Sequence, residues 1–163
     1  CSSDLSLIVN RRFGYEKKEG KISLYNWMDV VLEANQPFLS PMQGIIKDVS
    51  KENQFVLEKE KTAKLTVQGV NNQRLRKGMS VDAESFIGNT KDQTVSFKYE
   101  KYDEVKKEWY TVNPAFYFPK VTYTQTTILG STDFSPGASV EKRAQQVYDY
   151  LTKKGYKIGR AHV

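Results

Sequence analysis

The strongest constraint on this chain is a series of short β-rich segments between residues 38 and 112. Val, Ile, Phe, Tyr and Thr dominate these segments, and clusters of Gly, Asn, Asp and Lys separate them. The candidate strands are residues 38–49, 54–57, 63–70, 80–87, 94–99 and 108–112. Polar and apolar residues alternate along 94–99, as in a sheet with one solvated face. Many short strands at close spacing predict a mainly β fold, a sandwich or a barrel.

The pattern changes after residue 119. Thr, Ser and Gly dominate residues 120–138, which we interpret as a linker after a β domain at 6–119. Residues 139–157 then show helical spacing, with Ser139 as a candidate N-cap and Gly155 as a terminator. One helical face would carry Val140, Ala144, Val147, Tyr148 and Leu151. We expect the first helix of a second domain; the alternative is a lone C-terminal helix packed on the β domain.

Both ends of the chain read as translated adapter DNA. Residues 1–5 and 158–163 correspond to the two strands of one common sequencing-library adapter, and they hold the only cysteine, Cys1, and the only histidine, His162. We expect both segments to be adapter scars that flank a piece of a longer protein. The alternative interpretation of Cys1 and the two serines after it is the lipidated start of a bacterial lipoprotein.

The net charge of +6 is dispersed and does not form a basic block. Lysines alternate with glutamates, as in residues 58–61, and we find no Arg-rich helix and no nucleic-acid motif. We therefore expect no nucleic-acid partner, whereas an anionic membrane or wall polymer stays compatible with the charge. The apolar runs are all too short to span a membrane.

Four landmarks follow one another in a specific order. The first is Arg-Phe-Gly-Tyr at residues 12–15, and the second is Asp29 followed by Pro37, Ser-Pro at 40–41 and Gly-Ile-Ile at 44–46. The third is residues 76–83 followed by Ile-Gly at 87–88, and the fourth is Val-Asn-Pro at 112–114. This order and spacing resemble the lysostaphin/LytM-type zinc metalloendopeptidases, which cut peptidoglycan cross-bridges. The resemblance implies an antiparallel β-sandwich of the lysostaphin type, built on a duplicated hybrid motif, with one C-terminal helix following it.

The resemblance also identifies positions that hold zinc and assist catalysis in an active member. The metal-ligand positions fall at Tyr25, Asp29 and Ser96, and the catalytic histidine positions at Gly69 and Thr94. Only Asp29 keeps the family's residue. Because a catalytic zinc needs about three protein ligands, we expect no metal, no other cofactor and no hydrolysis by this domain. The alternative role for Asp29 is an ordinary turn or capping carboxylate.

Aromatic residues cluster around these positions in the sequence. Trp27 and Tyr99 could line the vacated cleft as a platform for a sugar or peptide, since aromatic faces suit such ligands. The alternative is that both rings are ordinary packing residues of a β-sandwich.

Residues 143–156 are similar to the opening helix of phage tail-tip lysozyme domains, in which the catalytic Glu follows. The two resemblances imply a non-catalytic, wall-binding module of a larger peptidoglycan hydrolase, either a phage tail-associated lysin or a conjugative-element wall hydrolase. Such a protein would act on the extracytoplasmic wall side or in the phage tail. The alternatives are a protein-interaction module that activates a partner wall hydrolase, and a structural part without wall contact.

Overall fold

The computed structural model describes residues 7–118 and 121–124, apart from the side chains of Lys17 and Lys18. Across these residues the chain forms thirteen β-strands and one short 3-10 helix, Pro114–Tyr117. The segments predicted as adapter scars and the helix predicted at 139–157 lie outside the described residues. In the part that is described, no helix has the length and apolar character needed to cross a bilayer.

Nine of the strands form one large sheet. In spatial order these are β13 (Val121–Tyr123), β1 (Leu7–Arg11), β4 (Met28–Val31), β11 (Thr94–Asp103), β8 (Ala63–Gln68), β7 (Gln54–Lys59), β6 (Gly44–Asp48) and β9 (Ser80–Val81), with β12 (Glu108–Val112) on β11. Every pair is antiparallel except β1 with β13. Strand β11 is ten residues long and pairs with β4 along its first half and with β12 along its second.

Two smaller sheets complete the fold. Strands β5 (Pro37–Leu39) and β10 (Phe86–Asn89) form one, and the hairpin of β2 (Gly14–Lys18) and β3 (Lys21–Tyr25) forms the other. Phe38 of β5 contacts Phe97 of β11, with ring centroids 6.1 Å apart. The hydrophobic core therefore lies between the large sheet and the β5–β10 sheet, and its largest fully buried side chains include Phe38, Phe55, Phe97, Met28 and Ile46.

The mainly β, mostly antiparallel fold predicted from the sequence is confirmed, with local differences. The segment predicted as one strand at 38–49 is two strands, because Pro41 lacks the N–H that a ladder needs. The segment at 80–87 is also two strands, separated by a turn in which Glu84 has a φ of 65°. Strands β1 to β4 had no counterpart among the predicted strands.

The predicted linker begins with a strand. Residues 121–123 alternate Val, Thr and Tyr, a pattern that suits a half-buried strand, and they pair in parallel with β1. Thr124 continues this contact through a 3.0 Å hydrogen bond from its N–H to the carbonyl of Val9. The β domain therefore extends beyond residue 119, the boundary expected from composition.

Candidate functional site

Three side chains meet at one carboxylate oxygen on the polar face of the large sheet. Asp29 of β4 lies directly opposite Ser96 of β11 in the antiparallel register. The Ser96 hydroxyl donates to Asp29 Oδ1 at 2.8 Å, and the Tyr25 hydroxyl donates to the same oxygen at 2.6 Å. The structure thus brings together the three positions that the sequence resemblance matches to metal ligands.

Strand periodicity explains why these groups share a face. Along β11, Val95 and Phe97 are buried, so the residues between them, including Ser96 and Lys98, point to the other side of the sheet. Trp27 lies on the Asp29 side, and the Lys98 ammonium lies 5.4 Å from the centre of its ring. The polar face of β4 and β11 therefore carries the whole cluster.

Arg11 packs against the ring of Tyr25, and Glu16 binds Arg11. Neither residue was among the site residues predicted from the sequence. Arg11 of β1 is the register partner of Asp29, and its guanidinium lies 3.5 Å from the centre of the Tyr25 ring. It also donates two hydrogen bonds to Glu16, at 2.8 and 3.1 Å, and this contact is the main cause that raises the pKa of Arg11. No local motif marks the pair, because only the register of β1 on β4 places Arg11 there.

The cluster keeps its hydroxyl groups protonated. Burial is the largest cause that raises the pKa of the Tyr25 hydroxyl far above its ordinary value, and the hydrogen bond to Asp29 adds to it. Both effects favour the neutral phenol, because ionising Tyr25 would remove the proton it shares with Asp29 and place two negative charges side by side. Tyr25 therefore remains a hydrogen-bond donor at neutral pH.

These residues do not fit a zinc ion. Zinc in proteins takes neutral imidazole, thiolate or carboxylate ligands, whereas Tyr25 and Ser96 present protonated hydroxyls that already donate to the one carboxylate. Within residues 7–118 and 121–124, no three His, Cys, Asp or Glu side chains lie close enough together to hold a metal ion. The arrangement is a closed hydrogen-bonded cluster. Both hydroxyls donate to Asp29, and the amine on this face, that of Lys98, lies over the Trp27 ring. Within the described residues, neither hydroxyl is therefore hydrogen-bonded to an imidazole or amine that could act as its base.

The two positions matched to catalytic histidines are also adjacent. Gly69 has a φ of +105°, and a Cβ built on it would lie 2.6 Å from the carbonyl oxygen of Thr94. Real Cβ atoms essentially never approach so closely, so a side chain at residue 69 would require the backbone at Thr94 to shift. Thr94 itself is exposed at the start of β11.

Tyr99 does not share a platform with Trp27. It lies on the opposite face of β11, where it is 8% exposed and stacks on Tyr117 with ring centroids 4.0 Å apart. Burial is the main cause that raises its pKa to about 12. The period of two residues along the strand turns residue 99 inward with Phe97, so only Trp27 of the predicted pair lies on the Asp29 face.

Comparison with known proteins shows what this architecture resembles. The chain superposes on the catalytic domain of the antimicrobial peptidase lysostaphin from Staphylococcus simulans with a TM-score of 0.50, at 13% identity, over 65% of this chain and 87% of that one. The fold is that of the lysostaphin-type peptidases. No protein-family model matches the sequence, and no curated protein matches it.

Two further lysostaphin-type structures show the same similarity. LytU superposes with a TM-score of 0.51 at 14% identity, over 66% of this chain and 81% of its own. A variant catalytic domain of EnpA, a prophage-encoded M23 protein from Enterococcus faecalis, superposes with a TM-score of 0.51 at 14% identity. The superposition covers 66% of this chain and 88% of the EnpA domain. These neighbours share the fold that the sequence landmarks indicated.

Proposed function

We propose that this polypeptide is a non-catalytic, lysostaphin-fold module of a larger peptidoglycan hydrolase, and that it binds the wall or positions its parent on it. The observation that carries the proposal is the closed cluster at Asp29. Two protonated hydroxyls occupy the carboxylate oxygen where an active member would need metal ligands. The close approach of Thr94 to Gly69, where an added Cβ would force a backbone shift, supports the same proposal.

The choice of the wall as partner has two supports. The fold neighbours include the antimicrobial peptidase lysostaphin and a prophage-encoded M23 protein, and the landmarks of residues 12–114 resemble enzymes that cut peptidoglycan cross-bridges. The similarity of residues 143–156 to phage tail-tip lysozyme domains adds a second wall-directed module. On this proposal the parent acts on the extracytoplasmic wall side or within a phage tail.

Sedimentation with purified peptidoglycan tests wall binding directly. We expect the polypeptide to co-sediment with the wall, and a control protein of equal size and net charge of +6 to stay in solution. Equal retention of both proteins would contradict specific binding. If the polypeptide is not retained but speeds wall digestion by an added hydrolase, it is instead the activator of a partner enzyme.

Rebuilding the metal site tests the assignment of Tyr25, Asp29 and Ser96. The double substitution Tyr25→His with Ser96→His places two imidazoles around the carboxylate on which both hydroxyls now converge. We expect this variant to bind zinc. A free zinc concentration of about 100 times the Kd would then stabilise the folded state by about 2.7 kcal/mol. The unmodified polypeptide should show no zinc-dependent stabilisation.

The matched control is the same double variant with Asp29→Ala added, in which zinc binding should be lost. If the double variant ignores zinc while it remains folded, these positions do not form a vestigial metal site. The proposal of a non-catalytic module fails separately, if the unmodified polypeptide cleaves peptide cross-bridges and a chelator stops the cleavage.

A further inference from the structure

A cavity of about 550 Å³ lies away from Asp29, against the β5–β10 sheet. Its floor is Gly88 of β10, and its walls are the loop at residues 71–74 and the segment around Asn35. A Cβ at Gly88 would collide with the carbonyl oxygen of Asn71. The absence of a side chain at this position therefore lets the loop pack directly on the strand and shapes the cavity.

Hydrogen bonds hold the cavity walls in place without a ligand. The N–H of Asn71 donates to the carbonyl of Asn89 at 2.9 Å, and the N–H of Asn35 donates to the carbonyl of Thr90 at 2.8 Å. The buried Thr90 hydroxyl donates to the carbonyl of Glu33 at 2.6 Å. A ligand would enter a preformed site and would lose little affinity to ordering of the protein.

The side chains that line the cavity suit a hydroxylated ring. Four are amides, each with donor and acceptor atoms: Asn35, Asn71, Gln73 and Asn89. Within the described residues, the side-chain amide of Gln73 has no hydrogen-bond partner. Phe86 adds an aromatic ring that is 41% exposed, with the Arg74 guanidinium 4.8 Å from its centre. Amides around an exposed aromatic ring provide the hydrogen bonds and the apolar surface that a pyranose needs.

The charge of the cavity selects an acidic ligand. Arg74 and Lys91 line it, and none of its lining residues is acidic. Within residues 7–118 and 121–124, neither of these two cations forms an ion pair. A carboxylate on the ligand would therefore gain charge-assisted hydrogen bonds.

A phosphate fits this cavity less well, because free backbone N–H groups are what usually cradle it. The N–H groups of Thr90 and Lys91 already donate to the carbonyls of Gln36 and Gly69, both at 2.8 Å. The N–H of Gln73 likewise donates to the Asn71 side chain at 2.9 Å. Asn89 Nδ2 also donates to Asn35 Oδ1 at 3.3 Å. The two side-chain cations, the Gln73 amide and the amide atoms of the asparagines that these bonds leave unused remain to recognise the ligand.

We propose that this cavity binds a pyranose that carries a free carboxylate group, such as a muramic acid residue of peptidoglycan from which the stem peptide has been removed. This inference rests on the proposed wall-binding function and names the part of the wall that the module recognises. The carboxylate lies between Arg74 and Lys91, and the ring hydroxyl or acetamido groups bond to the surrounding amides.

The test compares two sugars that differ by one acidic substituent. Amide ¹⁵N–¹H spectra of the full polypeptide are recorded during titration with N-acetylmuramic acid and with N-acetylglucosamine, which lacks the lactyl carboxylate. We expect the acidic sugar to shift the amide signals of Asn71, Gly88 and Asn89 and to bind about tenfold more tightly than the neutral one. Glycerol phosphate should bind more weakly than N-acetylmuramic acid.

Matched substitutions locate the site. Lys91→Gln should weaken N-acetylmuramic acid binding about tenfold and leave N-acetylglucosamine binding unchanged. Lys106→Gln removes an equally exposed lysine from the β11–β12 turn and should change neither affinity. Both replaced side chains are exposed, and the spectra themselves report whether each variant is folded.

Three results would overturn the proposal: equal affinity for the two sugars, tighter binding of glycerol phosphate, or a folded Lys91→Gln variant that binds the acidic sugar normally. Its failure can be told apart from failure of the proposed function. Normal co-sedimentation of Lys91→Gln with peptidoglycan, together with no sugar response, removes the cavity site and leaves wall binding intact. A sugar response in a polypeptide that peptidoglycan does not retain removes the wall-binding function instead.

Discussion

Replacing Gly69 with alanine tests whether the backbone itself excludes a catalytic side chain. A non-glycine residue at a φ of +105° costs about 1–3 kcal/mol in backbone strain. The new Cβ would also lie 2.6 Å from the carbonyl oxygen of Thr94. Since this neighbour is backbone in a sheet, β11 must shift, and overpacking of this kind adds about 1–3 kcal/mol. We therefore expect Gly69→Ala to lower the free energy of unfolding by about 2–6 kcal/mol.

Gly78 provides the matched control for this experiment. Its φ is +89°, but a Cβ there would meet no atom within 4 Å. Gly78→Ala should thus carry only the backbone strain, about 1–3 kcal/mol. Urea denaturation followed by circular dichroism and by tryptophan fluorescence gives both values, and their difference isolates the steric contact at Thr94.

An equal or smaller loss for Gly69→Ala than for Gly78→Ala would refute the reasoning. If the expected difference is found, a side chain at residue 69 is accommodated only when the backbone of β11 near Thr94 moves.

Three other measurements test single side chains, one in the cluster at Asp29 and two elsewhere in the fold. Tyr25→Phe removes one donor to Asp29 and should lower the free energy of unfolding by about 1.5 kcal/mol in urea denaturation; no loss would mean that the bond is unimportant. The pKa of Tyr99, raised from 10.0 to about 12, means that its contribution to stability is complete below pH 10 and is lost as the pH rises towards 12. The pKa values of Tyr25 and Tyr117 are also raised, so ultraviolet titration should show several late tyrosines, and Tyr99→Phe should reduce their number by one. The Asn72 side-chain amide donates to three backbone carbonyls at 2.7, 2.9 and 3.4 Å. Asn72→Ala should therefore lower the free energy of unfolding by about 1–3 kcal/mol, whereas the control Gln73→Ala should change it little.

Part of the site could be predicted because strand periodicity is visible in the sequence. The alternation over residues 94–99 correctly separates the face of Ser96 from the face of Phe97. The same period turns Tyr99 inward, so the aromatic platform with Trp27 could have been rejected without coordinates. Gly69 also belongs to this group, since a glycine at the end of a predicted strand indicates close backbone approach or a special φ.

The sequence by itself determined the β class of the fold and the absence of histidine from residues 6–157, because both follow from residue type and local pattern. Only the tertiary structure decided that Tyr25 and Ser96 donate to one oxygen of Asp29, since Asp29 and Ser96 are 67 residues apart in the chain. That contact depends on the register of β4 against β11, and a shift of one residue would turn the two side chains to opposite faces. The cavity above Gly88 likewise depends on three distant segments that hydrogen bonds bring together, and no local pattern encodes such a shape.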